Sequence, residues 1–245
     1  MILTTWNCNM AFHRKHSAIA ALNSDVAIIS ECANEARLNA RGLAVPKDSY
    51  LWVGDNENKG LAVMVKPPYS VAPLFTPGET LPIWAMPVRI TTPRGRYVDL
   101  IAVWSFWYRD KRNETGNPVV AALEQFSSEF DEENLIVAGD FNNSVIWDRG
   151  SKSSNHRLTS TSLAARGLTS VYHSQGGHEY GNEPHPTLYW RDRKIDGPRY
   201  HIDYVYAPKR WLETEVRIQV GSFDPWVQSK LSDHVPMTVN FTAIE

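Results

Sequence analysis

Seven side chains of this sequence have the types and order to combine metal and proton chemistry: Asn7, Glu31, Asp140, Asn142, Asp203, Asp233 and His234. They are oxygen donors plus one imidazole, a set that suits a hard cation, Mg²⁺ or Mn²⁺, better than zinc. Mg²⁺ takes one or two protein carboxylates and keeps waters or phosphate oxygens on its other sides. Four carboxylates exceed that need, so the surplus is available to move protons. Phosphodiester hydrolysis asks for an activated water, neutralisation of charge on the phosphoryl oxygens and help for the leaving alkoxide. A carboxylate orients the water, an amide holds the water or a phosphate oxygen, and an imidazolium kept in place by a second Asp answers the developing charge.

Any one of these residues alone would pass for a turn cap or a surface charge. What sets them apart is where they fall, at the ends of apolar runs. β-rich runs bounded by turn signals predict strands at 2–6, 25–30, 61–65, 97–105, 134–141, 200–207, 216–223 and 235–243. Helical patterns cover 16–24, 118–130 with Pro118 in the first turn, and 161–168 closed by Gly167. Polar segments 42–60, 107–117 and 174–199 read as loops. The pattern is that of a mixed α/β sandwich in one domain, 1–245. Asn7 follows the first strand, Glu31 the second, Asp140 and Asn142 the run "LIVAG", and Asp203 lies in a late strand. Ligand sites of layered α/β proteins favour strand ends, so separate segments can deliver these groups to one rim.

The runs "TTWNCN" (4–9), "ISEC" (29–32), "VAGDFNNS" (137–144), "YHIDYVY" (200–206) and "LSDHVP" (231–236) together resemble, in order, the motifs of the endonuclease/exonuclease/phosphatase family, which includes deoxyribonuclease I, exonuclease III and the apurinic endonucleases. The resemblance implies a four-layered α/β sandwich, two mixed β-sheets packed face to face and flanked by helices, and attack on phosphate esters assisted by one or two Mg²⁺ or Mn²⁺ ions. It places Glu31, Asn7 and Asp233 at the metal. It makes Asp140 the residue that orients or deprotonates water, Asn142 its partner on the phosphate, His234 a donor to a phosphate oxygen and Asp203 the group that orients His234. Three departures stand out. Ser30 replaces the Gln that usually precedes the metal-binding Glu, Trp104 stands where a phosphate-binding His or Tyr is usual, and His201 replaces an arginine.

The implied substrate is nucleic acid, DNA foremost. Nine Trp are many for this length, and Trp107, Trp147, Trp190 and Trp226 fall near the motif-bearing loops, where indoles stack on bases for about 1–3 kcal/mol each. Trp6, Trp52 and Trp211 read as core. "YRDKR" (108–112), with Tyr108 and Arg109, and "YWRDRK" (189–194) combine basic and aromatic groups that can grip a phosphate backbone. A phosphorylated small molecule, such as an inositol phosphate, a nucleotide or a lipid head group, is the alternative substrate. A binding protein with a degenerate site is the alternative of another class, motivated by Ser30 and Trp104.

Composition limits the rest. With 25 Lys and Arg against 27 Asp and Glu the formal charge is −2, which excludes the overall basic footprint of a duplex-coating protein and leaves a local site for nucleic acid. No signal-like leader follows Met1 and no apolar stretch is long enough to cross a bilayer, so the expected setting is cytoplasmic, without a membrane partner. Cys8 and Cys32 match no zinc spacing and read as buried thiols. His13, His16, His156, His173, His178 and His185 match no motif and read as solvated or locally bonded.

Overall fold

The computed structural model describes residues 1–82, 84–105, 117–150, 152–242 and 244. Its elements are β1 (Ile2–Asn7), α1 (His16–Ala20), β2 (Val26–Cys32), α2 (Glu35–Ala40), β3 (Tyr50–Asn56), β4 (Lys59–Val65), β5 (Ser70–Pro73), β6 (Ala85–Thr91), β7 (Tyr97–Trp104), α3 (Pro118–Gln125), β8 (Leu135–Asp140), α4 (His156–Ala165), β9 (Leu168–Ser170), α5 (Val171–Gly176), β10 (Leu188–Tyr189), β11 (Arg199–Tyr200), β12 (Asp203–Pro208), β13 (Val216–Val220) and β14 (Met237–Phe241). Two six-stranded sheets, ordered β13-β14-β1-β2-β4-β3 and β5-β6-β7-β8-β12-β9, face each other. Each is mixed: β1–β2 and β7–β8 are parallel and the other pairs antiparallel. This is the expected four-layered architecture, with β10–β11 as a separate small ribbon. No described helix is long and apolar enough to cross a membrane.

The two-residue period of a strand explains the layering. In β2, Val26 and Ile28 join the core between the sheets, whereas Ala27 and Ile29 join a second core with Phe12, Ile19 and Leu38 beneath α1 and α2. β4 divides likewise, Leu61 and Val63 inward and Ala62 outward. A strand buried on both faces has no polar side to spare, so its polar groups appear only where it ends.

Several sequence expectations shift. The helix expected over 16–24 ends at Ala20, because the chain turns and Asn23 takes a left-handed φ of 53°. α3 stops at Gln125, where Phe126 leaves helical geometry and enters the core. α4 begins five residues before the expected 161, since the Asp148 carboxylate accepts from the His156 and Arg157 amides at 2.7 and 3.0 Å. A cap supplied from so far upstream leaves no local signature. The segments 42–60 and 174–199 hold β3 and β10, and β5, β6 and α2 carry no strong pattern of their own; Pro87 inside β6 masks it as a strand.

Candidate active site

The strand directions bring the seven residues to one edge. Asn7 ends β1, Glu31 sits near the end of its parallel neighbour β2, Asp140 ends β8, and Asp203 opens β12, which runs antiparallel to β8 with Asp203 opposite Asp140. Asp233 and His234 precede β14 and are fixed from four sides. Ser232 Oγ donates to Asn7 O at 2.7 Å, Trp6 Nε1 donates to His234 O at 3.1 Å, Tyr189 N donates to Asp233 O at 2.8 Å, and Leu188 bridges His234.

Local backbone distortion aims these side chains. The β2–β4 register slips between Ser30 and Cys32, and the extra residue is Glu31 with φ 59°; such a bulge redirects a side chain from a sheet. Asn142 has φ 47°, and Asn9, Met10 and Ala11 are left-handed in succession. Strained φ values concentrated at one rim are characteristic of a functional site. Gly139, before Asp140, has φ +146° and lies so near Val103 that a Cβ would meet Val103 O at 1.9 Å. Glycine thus lets β8 approach β7 and delivers Asp140 to the edge.

The polar network is continuous. Asn7 Nδ2 donates to Asp140 Oδ2 at 2.9 Å and lies 3.4 Å from Glu31 Oε1, while Asn7 Oδ1 accepts from Asn9 N at 3.0 Å. The amide therefore joins two acids through its NH₂. Asp140 Oδ1 accepts from Asn142 N at 2.8 Å, and Asn142 Nδ2 lies 3.3 Å from Asp140 Oδ2. His234 Nδ1 donates to Asp203 Oδ2 at 3.0 Å, and Ile202 N and Asp203 N both donate to Thr187 Oγ1. Asp233 Oδ1 accepts from Asn9 Nδ2 at 3.1 Å, and Arg193 stands 3.6 Å from its other oxygen.

Electrostatics follow from depth. Asp140 and Asp203 are fully buried and His234 is 4% exposed. Burial, aided by the Asp203 charge and opposed by His234, pushes the Asp140 carboxyl up to about 7. For His234 burial disfavours the imidazolium, but Asp203, Asp140 and Asp233 outweigh it and hold its pKa up to about 10. One donor atom each from Asp140, Asp203 and His234 lies within 4.8 Å of the others. Asp203 Oδ1 is buried without a hydrogen-bond partner among the described residues. That oxygen suits a water, whereas the partly exposed carboxylates of Glu31 and Asp233, 17% and 25% exposed, with Asn7 reaching Glu31, form the hard oxygen set that fits a divalent cation.

The remaining expectations divide. Trp147 and Trp190 are 37% and 42% exposed; both pack against Tyr200, and Arg191 stacks on Trp190 at 4.1 Å. Trp104 ends β7 and is buried, in register with Asp140. His201 is buried too, its Nδ1 donating to His185 O and its ring against Tyr172, so it neighbours Asp203 from inside rather than the rim. Trp226, expected near the rim, is core and packs edge-on against Trp6, because that contact buries both indoles. Trp6 and Trp211 are buried as expected. Trp107, Tyr108 and Arg109 lie outside the described residues. Ser30 is buried, with its hydroxyl unpartnered among the described residues. Cys8 and Cys32 are buried thiols, with burial raising both and Cys32 reaching about 12. His173 is locally bonded as expected, to Ser170, and also meets Glu183, whereas His156 is buried and bonded to the distant Tyr206.

Sequence reasoning missed Lys59, 3.3 Å from Glu31, and the supports Asn9, Thr187 and Gly139. A glycine inside an apolar strand and the turn-rich "DNENKG" before "LAVMV" were the available signals for Gly139 and Lys59.

Among solved structures, an AP endonuclease from Archaeoglobus fulgidus shares 17% identity over 99% of each chain, with a TM-score of 0.69. A 3'-5' exonuclease from Neisseria meningitidis shares 18% over 98% of this chain and 99% of its own, at 0.66. A 3' phosphatase from Neisseria bound to product DNA hairpin shares 17% over the same fractions, also at 0.66. These likenesses show the fold. No curated protein matches the chain. The sequence model of the endonuclease/exonuclease/phosphatase family matches residues 4–234, nearly the whole length, and the chain belongs to that family of phosphoester hydrolases.

Proposed function

We propose that this protein is a Mg²⁺- or Mn²⁺-dependent phosphodiesterase that cleaves DNA. The observation that carries the reading is the convergence of Asp140, Asp203 and His234, joined through Asn7 to Glu31, where strands of both sheets end. Glu31 is the principal metal-holding acid, with Asp233 and Asn7 beside it; the bound cation supplies charge neutralisation at the phosphate. Asp140 orients the attacking water and accepts its proton, a task suited to a carboxyl whose pKa lies near neutrality. Its bonds from Asn7 and Asn142 fix the direction of that acceptor. His234, held as imidazolium by Asp203, donates to a phosphoryl oxygen, and Asn142 helps to hold the phosphate.

A polymeric substrate is supported by the exposed Trp147 and Trp190, both packed against Tyr200, an aromatic group on which bases can stack. Buried on β7 in register with Asp140, Trp104 backs the phosphate site rather than transferring a proton. The test is hydrolysis of a generic phosphodiester and of labelled single- and double-stranded DNA with Mg²⁺, Mn²⁺ or chelator. Asp140→Asn and His234→Ala should each lower the rate by at least about a hundredfold. Turnover that survives the chelator and both substitutions would sink the reading.

A further inference from the structure

Lys59 opens β4 immediately after the hairpin turn, and its ammonium lies 3.3 Å from Glu31 Oε1 and 5.4 Å from the centroid of the Trp104 ring. Glu31 belongs to one sheet and Trp104 to the other, so this cation spans the two sheets at the edge that carries the site. The Glu31 side chain is 17% exposed and that of Lys59 35%, which makes this a partly sheltered pair rather than a rim contact. The bulge at Glu31 turns its carboxylate to this position, and Asn7 Nδ2 reaches the same oxygen, Oε1, at 3.4 Å. Trp104 offers the ammonium the face of an indole, which attracts a cation without using up its hydrogen-bond donors.

A carboxylate cannot hold a divalent ion and keep an ammonium at the same oxygen without strong repulsion between the two cations. The compact ammonium on a flexible four-carbon stem is able to move aside, and the indole face gives it somewhere to rest. We propose that Lys59 is an exchangeable counter-ion that neutralises Glu31 until a divalent cation takes that carboxylate, after which its ammonium binds a phosphoryl oxygen of the substrate. One lysine thereby links metal loading to phosphate binding. The inference rests on the assignment of Glu31 as the metal-holding acid.

Two measurements on the full chain test it: Mn²⁺ binding followed by electron paramagnetic resonance of the free ion, and steady-state hydrolysis of a phosphodiester at saturating Mn²⁺. The proteins are wild type, Lys59→Met, Lys59→Arg and Glu31→Gln, with circular dichroism confirming that each is folded. Lys59→Met should bind Mn²⁺ about fivefold more tightly, since the competing partly exposed ion pair is gone. The same variant should raise KM about tenfold, the loss of one charge-assisted contact to phosphate. Lys59→Arg should recover most of the KM. Opposite movement of the two constants in Lys59→Met is the signature expected. The inference is overturned if both constants stay within about twofold of wild type, or if both weaken together as they would for a purely structural lysine. The assignment of Glu31 fails separately, if wild type hydrolyses the substrate and Glu31→Gln binds Mn²⁺ as tightly as wild type.

Discussion

Replacing Gly139 by Ala tests the idea that a close approach of two strands delivers Asp140 to the site. Val103 and Gly139 are partners in the parallel β7–β8 pair, directly before Trp104 and Asp140. A Cβ on residue 139 would lie 1.9 Å from Val103 O, 2.7 Å from Val103 C and 2.8 Å from Val103 N. Carbon-to-oxygen contacts between strands settle near 3.3 Å, so the strands must part by about 1.4 Å. That movement costs one or two ladder bonds of about 1 kcal/mol each, and an L residue at φ +146° adds about 1–3 kcal/mol of strain. The expected loss is about 2–5 kcal/mol. A displacement of Asp140 by about 1 Å should lower hydrolysis about a hundredfold. Gly167→Ala is the control, because its φ is +74° with no atom within 4 Å of a Cβ, and its cost should stay near 1 kcal/mol. Urea unfolding read at constant m gives the stabilities, and phosphodiester turnover gives the activity. If Gly139→Ala keeps its stability within about 1 kcal/mol of wild type and its rate within about threefold, the close-approach argument is wrong.

Other expectations follow from the rim and the interior. Trp147→Ala and Trp190→Ala should each raise KM for a single-stranded oligonucleotide about fivefold to a hundredfold, the range of base stacking, and leave a small phosphodiester unaffected; equal effects on both substrates would remove the stacking role. Burial holds the folded His156 down to about 3, against about 6.5 when unfolded. Above pH 6.5 both states are neutral there, and as the pH falls the unfolded chain gains a proton that the folded chain refuses, so stability is lost between about pH 6.5 and pH 3. His156→Gln should therefore lose about 2 kcal/mol less than wild type between pH 7 and pH 5, as read by denaturant midpoints. Parallel pH profiles for the two proteins would refute that account.

Individual residues show which physical forces are local and which are not. "LIVAGD" is a strand from its own apolar run, and its end at a carboxylate is legible because a strand buried on both faces leaves polar groups only at its tips. The ordered motifs likewise name Asn7, Glu31, Asp140, Asn142, Asp203, Asp233 and His234, since each carries its chemistry in its own side chain. Helix limits were less legible: α4 starts where the Asp148 carboxylate reaches forward to cap it.

Tertiary structure decided the remaining partnerships. The pairing of His234 with Asp203 was implied by the ordered motifs, but that Asp233 belongs with Asn9 and Arg193 cannot be read from adjacency, because neighbouring residues in extended chain point apart. Lys59 illustrates the same limit: a lysine after a turn reads as solvated, and only the facing of the two sheets sets it between Glu31 and Trp104. Trp226 and His201 went the other way, into the interior, where Trp6 and Tyr172 offered apolar area that no local pattern reveals. Sequence determined which groups could act and on which strand ends they sit, through periodicity and side-chain chemistry. Which of them meet was decided by sheet order and register, because contacts between residues far apart in the chain depend on the packing of the whole.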